Sequence, residues 1–220
     1  MIYIIKNGHE DHGDLDASLQ FIEKLDIPKT SKILEIGCAM GKLCHELGQM
    51  GFSNVSGVDI SETIIRHGQK KYPHLNLNVC DPMELNFLGE SLDICLSFDV
   101  VEHIHDIENH FQEVIRILKP SGKYIFQTPN VLSNSIRETI QTRSFSRWKE
   151  WHPSLQSCFS LKKKLKQAGF NNIEFVKISP LTKHKLESIP FMFRYVFMII
   201  PWTLLPLCLQ TNFFVIAEKI

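Results

Sequence analysis

No two of the six cysteines, at positions 38, 44, 80, 95, 158 and 208, are spaced as CxxC, and most of them lie in apolar runs. That arrangement supports neither a zinc ribbon nor a disulfide framework, so buried free thiols in a reducing compartment are expected. The opening stretch, MIYIIKNGHEDHGD, lacks the charged-then-apolar layout of a signal peptide, and a cytoplasmic location is the expectation. No low-complexity tract or internal repeat is present, which excludes solenoids and flexible arrays. There is no net basic excess either: 24 Lys and Arg balance 24 Asp and Glu, and no nucleic-acid partner is expected.

What is present is an ordinary globular composition, 44% apolar and 22% charged, over 220 residues. That suits a single domain, with residues 30–130 as a ligand-binding core and 131–212 as a substrate-side, partly hydrophobic region. The zero net charge hides an asymmetry. Residues 1–136 carry 11 basic and 19 acidic side chains, a balance of −8, and residues 137–220 carry 13 and 5, a balance of +8. Basic helix faces such as 162–164 are often merely solvated, yet the asymmetry also suits an anionic substrate or surface.

Short apolar runs alternate with helical periodicity, the pattern of a doubly wound, mainly parallel sheet. Strands are predicted at 32–36, 54–59, 75–79, 93–98, 123–128, 172–178 and 213–219, the last antiparallel. Helices are predicted at 15–26, 41–50, 61–71, 108–119 and 160–168, and Pro120-Ser121-Gly122 reads as the turn into the fifth strand. In such sheets ligands lie outside the carboxyl ends of the strands at the topological switch point. The residues just after the first four strands are therefore the ones to inspect.

After strand 1 comes Glu35-Ile-Gly37-Cys38-Ala39-Met-Gly41, an acid and a glycine-rich turn at a helix start. Such a turn admits a ligand closely, or serves only as a tight turn. A dinucleotide fingerprint needs glycine at 37, 39 and 42, where the chain has Gly37, Ala39 and Lys42, so a dinucleotide is disfavoured. Asp59 follows strand 2 and suits either the two hydroxyls of a ribose or a helix dipole. Asp81-Pro82 follows strand 3, and Ser97-Phe98-Asp99 leads on to Glu102-His103 after strand 4.

In combination these segments resemble the class I S-adenosylmethionine-dependent methyltransferases, and in particular the small-molecule group that includes the ubiquinone-biosynthesis O-methyltransferases. ILEIGCAMG is similar to the family's glycine motif, GVDIS to its ribose-binding acid and CDPMEL to its adenine-contacting acid. LDICLSFDVVEHIHD and ILKPSGKYIFQTPN resemble the blocks around its fourth and fifth strands, and HPSLQSCFSLKKKLKQAGF its His…Phe-Ser…Ala-Gly-Phe segment. The likeness covers about residues 30–180. It implies a seven-stranded Rossmann-like fold with a hydrophobic insertion before the last strand, and S-adenosylmethionine as cofactor. Glu35 would organise the cofactor's amino group, with Gly37, Cys38, Ala39 and Gly41 leaving room for it. Asp59 would hold the ribose, Ile60 pack on the adenine, and Asp81, beside Pro82, accept from its amino group. The backbone at Ser97 and Phe98 would face the methionine end. Ala39 stands where the family has its middle glycine, and its methyl fits there if φ stays negative.

An oxygen nucleophile must lose a proton, to a base or through a metal. Asp99, Glu102 and His103 are spaced i, i+3, i+4 and would share one face of a helical turn. Three readings stay open for them: His103 as general base, Asp99, Glu102 and His103 with His152 as ligands of a divalent metal, or a purely structural set. From Tyr195 to Ala217 no residue is charged. Two prolines interrupt that run, and a bilayer crossing is not expected, because residues 213–219 return to the sheet. Residues 183–209 are expected instead to touch an anionic membrane, a greasy substrate or another subunit, or to be core. The leading function is methyl transfer to a hydroxyl of a small lipid-like, quinone-like or glycan-linked acceptor. The competitors are a nucleotide-dependent oxidoreductase or epimerase, which lacks any YxxxK pair here, and a non-catalytic relative that binds cofactor or membrane.

Overall fold

The computed structural model describes residues 14–142, 152–178, 199 and 202–220. Its sheet has seven strands in the order β3-β2-β1-β4-β5-β7-β6. These are β1 (Lys32–Ile36), β2 (Asn54–Asp59), β3 (Asn76–Val79), β4 (Leu92–Phe98), β5 (Leu118–Pro129), β6 (Phe170–Val176) and β7 (Asn212–Lys219). Strands β1 to β5 run parallel, and β7 is antiparallel to both β5 and β6. The strand order reverses between β1 and β4, so the expected switch point lies there.

The helices are α1 (Leu15–Glu23), α2 (Lys42–Gln49), α3 (Glu62–Lys71), α4 (Ile107–Ile117), α5 (Val131–Thr142) and α6 (Cys158–Ala168). Their starts follow from capping chemistry. Asp14, Ser61, Asp106 and Ser157 each accept a backbone N–H three residues on, and Gly169 ends α6 in the left-handed conformation. Helix α1 stops at Glu23, short of the expected 26, and closes in a tighter turn in which Lys24 N donates to Phe21 O and Leu25 N to Ile22 O.

Two apolar layers sandwich the sheet. Phe111, Val114, Leu161 and Leu165 of α4 and α6 pack on Tyr124, Phe126, Val215 and Ala217. On the other face Phe21, Ile22, Leu43 and Leu47 of α1 and α2 meet Ile33, Leu96, Ile125 and Phe214. Strand β5 feeds both layers by alternation, Ile125 to one and Phe126 to the other. Phe21 and Phe214 stack edge-to-face with centroids 5.1 Å apart, closing the antiparallel strand onto α1.

Two local expectations change. Pro120-Ser121-Gly122 is not a turn ahead of β5 but a bulge within it. Leu92 pairs with Leu118 while Ile94 pairs with Lys123, and Ser121 takes a φ of 62° to absorb the surplus residues. The second concerns cysteine: five of the six are buried as expected, but Cys208 is exposed. Between β3 and β4 the chain runs as a loop, residues 80–91, with no helix of its own.

Candidate active site

Strand β1 delivers Glu35 to the floor of the switch point. Its side chain is fully buried, and Oε2 accepts the Cys44 thiol at 2.9 Å. Burial and the neighbouring Glu35 charge push the Cys44 and Cys38 thiols up, so both stay protonated spacers. The turn that follows alternates its backbone hand: Gly37, Ala39 and Gly41 have φ of 77°, 46° and 82°. At Gly37 glycine is also required by space, since a Cβ would come within 2.3 Å of the Val100 side chain. Ala39 therefore departs from the expectation of a negative φ. Its methyl is accommodated at the cost of left-handed strain, about 1–2 kcal/mol.

The turn's amides are committed to the protein itself. Gly37 and Cys38 donate to Val58 O, Ala39 to the Asp59 carboxylate, and Gly41 to Cys38 O. A phosphate-binding loop needs such groups directed at the ligand. Here the turn supplies space instead of anion-binding donors, which argues against a pyrophosphate cofactor.

Asp59 ends β2. Its Oδ2 accepts from Ala39 N at 3.1 Å and its Oδ1 from Ser61 N at 2.9 Å, so it ties the turn to the start of α3. Burial raises its pKa, opposed by these two N–H donors. Each carboxylate oxygen retains a second lone pair for a ligand hydroxyl. Ile60 next to it is 54% exposed, and Val79 at the end of β3 is 47% exposed. Asp81 Oδ1 accepts from Met83 N at 2.8 Å, which shapes the turn carrying Pro82. Two acids with open apolar side chains between them fit an adenosine moiety, a ribose on one and an exocyclic amine on the other.

At the end of β4 Ser97 and Phe98 are buried, and Asp99 adopts φ 55°. Its N–H donates to both the backbone and side-chain oxygens of Gln127. The chain then makes one 3-10 turn, Val101–His103. The common helical face expected of Asp99, Glu102 and His103 does not form, because Asp99 lies outside the turn and the turn is too short. Glu102 points inward, 1% exposed, and accepts from Thr128 Oγ1 at 3.1 Å. Burial, with the Asp99 charge second, lifts its pKa to about 8. His103 points outward, its ring centroid 4.9 Å from that of His152. Ser154 locks this pairing: its N–H donates to Glu102 O, and its hydroxyl donates to Ile104 O. Among the described residues no group of three or more His, Cys, Asp or Glu side chains is placed to hold a metal ion. Asp99, Glu102, His103 and His152 are all described, and they do not form such a group.

The family model described as "Methyltransferase domain" matches residues 8–175. The chain belongs to the class I S-adenosylmethionine-dependent methyltransferases. It is 24% identical over 178 residues to phosphoethanolamine N-methyltransferase 1 of Arabidopsis thaliana, covering 77% of this chain and 35% of the relative. A ubiquinone biosynthesis O-methyltransferase of Coxiella burnetii is 29% identical over 116 residues, 51% of this chain and 49% of that one. The chain thus spans about a third to a half of the length of these curated relatives. A crystal structure of an S-adenosylmethionine-dependent methyltransferase from Mesorhizobium loti superposes with a TM-score of 0.67 at 18% identity, over 94% of this chain and 99% of that one, a likeness of fold. S-adenosylmethionine is the cofactor of the methyltransferase family, and the acids at the β1, β2 and β3 ends have the chemistry to hold it.

Several residues shape the site through long-range bonds that no motif reveals. Asn130 donates to Cys208 O and Gln210 O at 2.9 and 2.8 Å, and Gln210 in turn donates to Trp202 O. Together they pin residues 202–211 to the end of β5. Thr128 and Gln127, within the ILKPSGKYIFQTPN segment, were legible as strand residues but not as partners of Glu102 and Asp99.

Proposed function

We propose that this methyltransferase alkylates a hydroxyl of a small, lipid-like acceptor. When bound, S-adenosylmethionine supplies an electrophilic methyl group. Glu35 would hold its methionine part, Asp59 its ribose and Asp81 its adenine, with Ile60 against the ring. His103, exposed just beyond the carboxyl end of β4, would take the acceptor's proton at an imidazole nitrogen as the methyl group passes to that oxygen and its bond to the sulfonium sulfur breaks, leaving the neutral thioether. Glu102, whose burial and nearby Asp99 charge favour its neutral form, serves as a buried hydrogen-bonded support for that turn and not as the base. Positioning and exclusion of water supply much of the remaining rate.

The observation that carries the lipid-like character is the rim above the sheet. Leu132 in the first turn of α5, Phe159 in the first turn of α6, and Leu204 and Leu209 just before β7 are all strongly exposed. Topology places all four at the carboxyl edge, because β7 begins where β5 ends, at the Asn212–Pro129 pair. Exposed apolar groups gathered on one edge mark a greasy ligand or a membrane contact. Of the uncharged run, residues 195–198 and 200–201 lie outside the described residues, as do residues 179–194 before it. The remainder includes a pair of short 3-10 turns, Trp202–Leu204 and Leu207–Leu209, the latter beside α5. Among the described residues no helix is long and apolar enough to cross a membrane, and a peripheral contact with an anionic leaflet suits the +8 balance of residues 137–220.

A second reading, methylation of a phosphate-bearing amine, is favoured by the longer match to a phosphoethanolamine N-methyltransferase. The same basic balance would suit its phosphate. Incubation with methyl-labelled S-adenosylmethionine and two acceptors, a prenylated catechol and phosphoethanolamine, distinguishes them by product mass. Label on the catechol supports the first reading, label on the amine the second, and label on neither with intact cofactor binding rejects both.

A further inference from the structure

The loop of residues 80–91 carries Asp81 and Pro82 but has no regular structure of its own, and α4 substitutes for it. Asn109 Nδ2 donates to Met83 O at 3.0 Å and His110 Nδ1 to Pro82 O at 2.8 Å. One turn on, Glu113 accepts Leu85 N at 2.9 Å, and Arg116 donates to Leu85 O and Phe87 O at 2.7 and 2.9 Å. Arg116 and Glu113 also pair with each other at 2.8 Å. Four side chains of one helix face thus engage successive backbone groups of the loop.

His110 is fully buried, and its partners fix its tautomer. A carbonyl oxygen can only accept, so Nδ1 carries the proton and Nε2 of the neutral ring is an acceptor. Tyr124 OH, 2.9 Å away, therefore donates to Nε2 and receives the Ser97 hydroxyl at 2.6 Å. The result is a directed chain, Ser97 to Tyr124 to His110 to Pro82 O. It runs through the core from the β4 end to the β3 end, the two places where the opposite ends of the cofactor are read.

We propose that Asn109 and His110 are positioning residues for cofactor recognition, holding the Asp81 turn at the height of the adenine, with Tyr124 joining that hold to Ser97. The inference rests on the placement of the adenine beside Asp81. Neither residue touches the reacting atoms, so their loss raises KM for the cofactor and leaves kcat at saturation unchanged.

The test is calorimetric titration of the full chain with S-adenosylhomocysteine, with KM and kcat measured alongside. Asn109→Ala, an exposed position that tolerates truncation, should weaken binding about three- to tenfold. His110→Gln, which can still reach Tyr124 but not Pro82 O, should weaken it about tenfold or more. His110→Asn keeps a donor at the Nδ1 position and should restore affinity to within about threefold of the parent. Parental affinity in Asn109→Ala overturns the proposal even if the His110 variants fail to fold. Equal losses in His110→Gln and His110→Asn also overturn it, since packing alone would then explain them. If the parent itself does not bind S-adenosylhomocysteine, the cofactor assignment falls and this inference with it.

Discussion

Ala39 donates its N–H to Asp59 Oδ2 at 3.1 Å from a left-handed backbone, φ 46°. One carboxylate therefore holds the strained turn and is also the candidate ribose acceptor. Removing it loses both roles at once. Asp59→Ala should weaken S-adenosylmethionine binding by about 2–4 kcal/mol, measured by calorimetry. Unchanged affinity would mean that the β2 end is not where the ribose lies.

The same pair predicts a gain. Glycine adopts the left-handed region without the Cβ clash that costs alanine about 1–2 kcal/mol, though it sacrifices about 0.4–1 kcal/mol of unfolded-state restriction. Ala39→Gly should therefore raise thermal stability slightly or tighten cofactor binding severalfold. A fall in both would show that the methyl makes a compensating contact.

Much of this architecture was legible from the chain. The periodicity in KILEI and NVSGVD, with an acid closing each neighbouring turn, located β1 and β2 to the residue. The segment from Asp99 to His103 was less legible. A spacing of i, i+3, i+4 implies a shared face only if the backbone is helical throughout, and the left-handed Asp99 breaks that condition before Glu102 is reached. The bonds of Asn130, His110 and Tyr124 were illegible for another reason: their partners lie 78, 28 and 27 residues away, and short-range pattern carries no trace of such bonds.

His103 and Glu102 should separate in their effects. If His103 is the base, His103→Ala lowers kcat by about 10²–10⁴ while cofactor affinity stays unchanged. Full activity in that variant would reject the role.

Glu102 and His110 give opposite pH dependences. Glu102 has a folded pKa of about 8, above its unfolded value, so its buried neutral form stabilises the protein at low pH. That contribution is lost as pH rises toward 8. Glu102→Gln keeps an acceptor for Thr128 and should flatten this trend, gaining on the parent from pH 6 to 8 in denaturant titrations. His110, lowered by burial to about 4, binds its proton more readily when unfolded. Its contribution is present above its ordinary value near 6.5 and falls by about 2 kcal/mol between pH 7.5 and 5. His110→Asn should remove that fall. Parallel pH profiles for parent and variant would contradict the buried neutral assignment.

The apolar rim gives the last prediction. Leu204 and Leu209 are exposed, lie outside every strand, and precede β7 at the carboxyl edge of the sheet, the edge proposed to admit the acceptor. Leucine burial contributes about 1.5–3 kcal/mol per side chain, and anionic lipid adds attraction for basic residues close by. Either contribution alone is weak, so binding should require both. The protein should co-sediment with vesicles containing phosphatidylserine and much less with purely zwitterionic ones, and salt should release it. Replacing Leu204 and Leu209 together with Ser should abolish co-sedimentation without changing the melting temperature, since neither side chain is part of the core. Loss of stability would instead assign the two leucines to packing. Retained co-sedimentation would move the contact away from this rim.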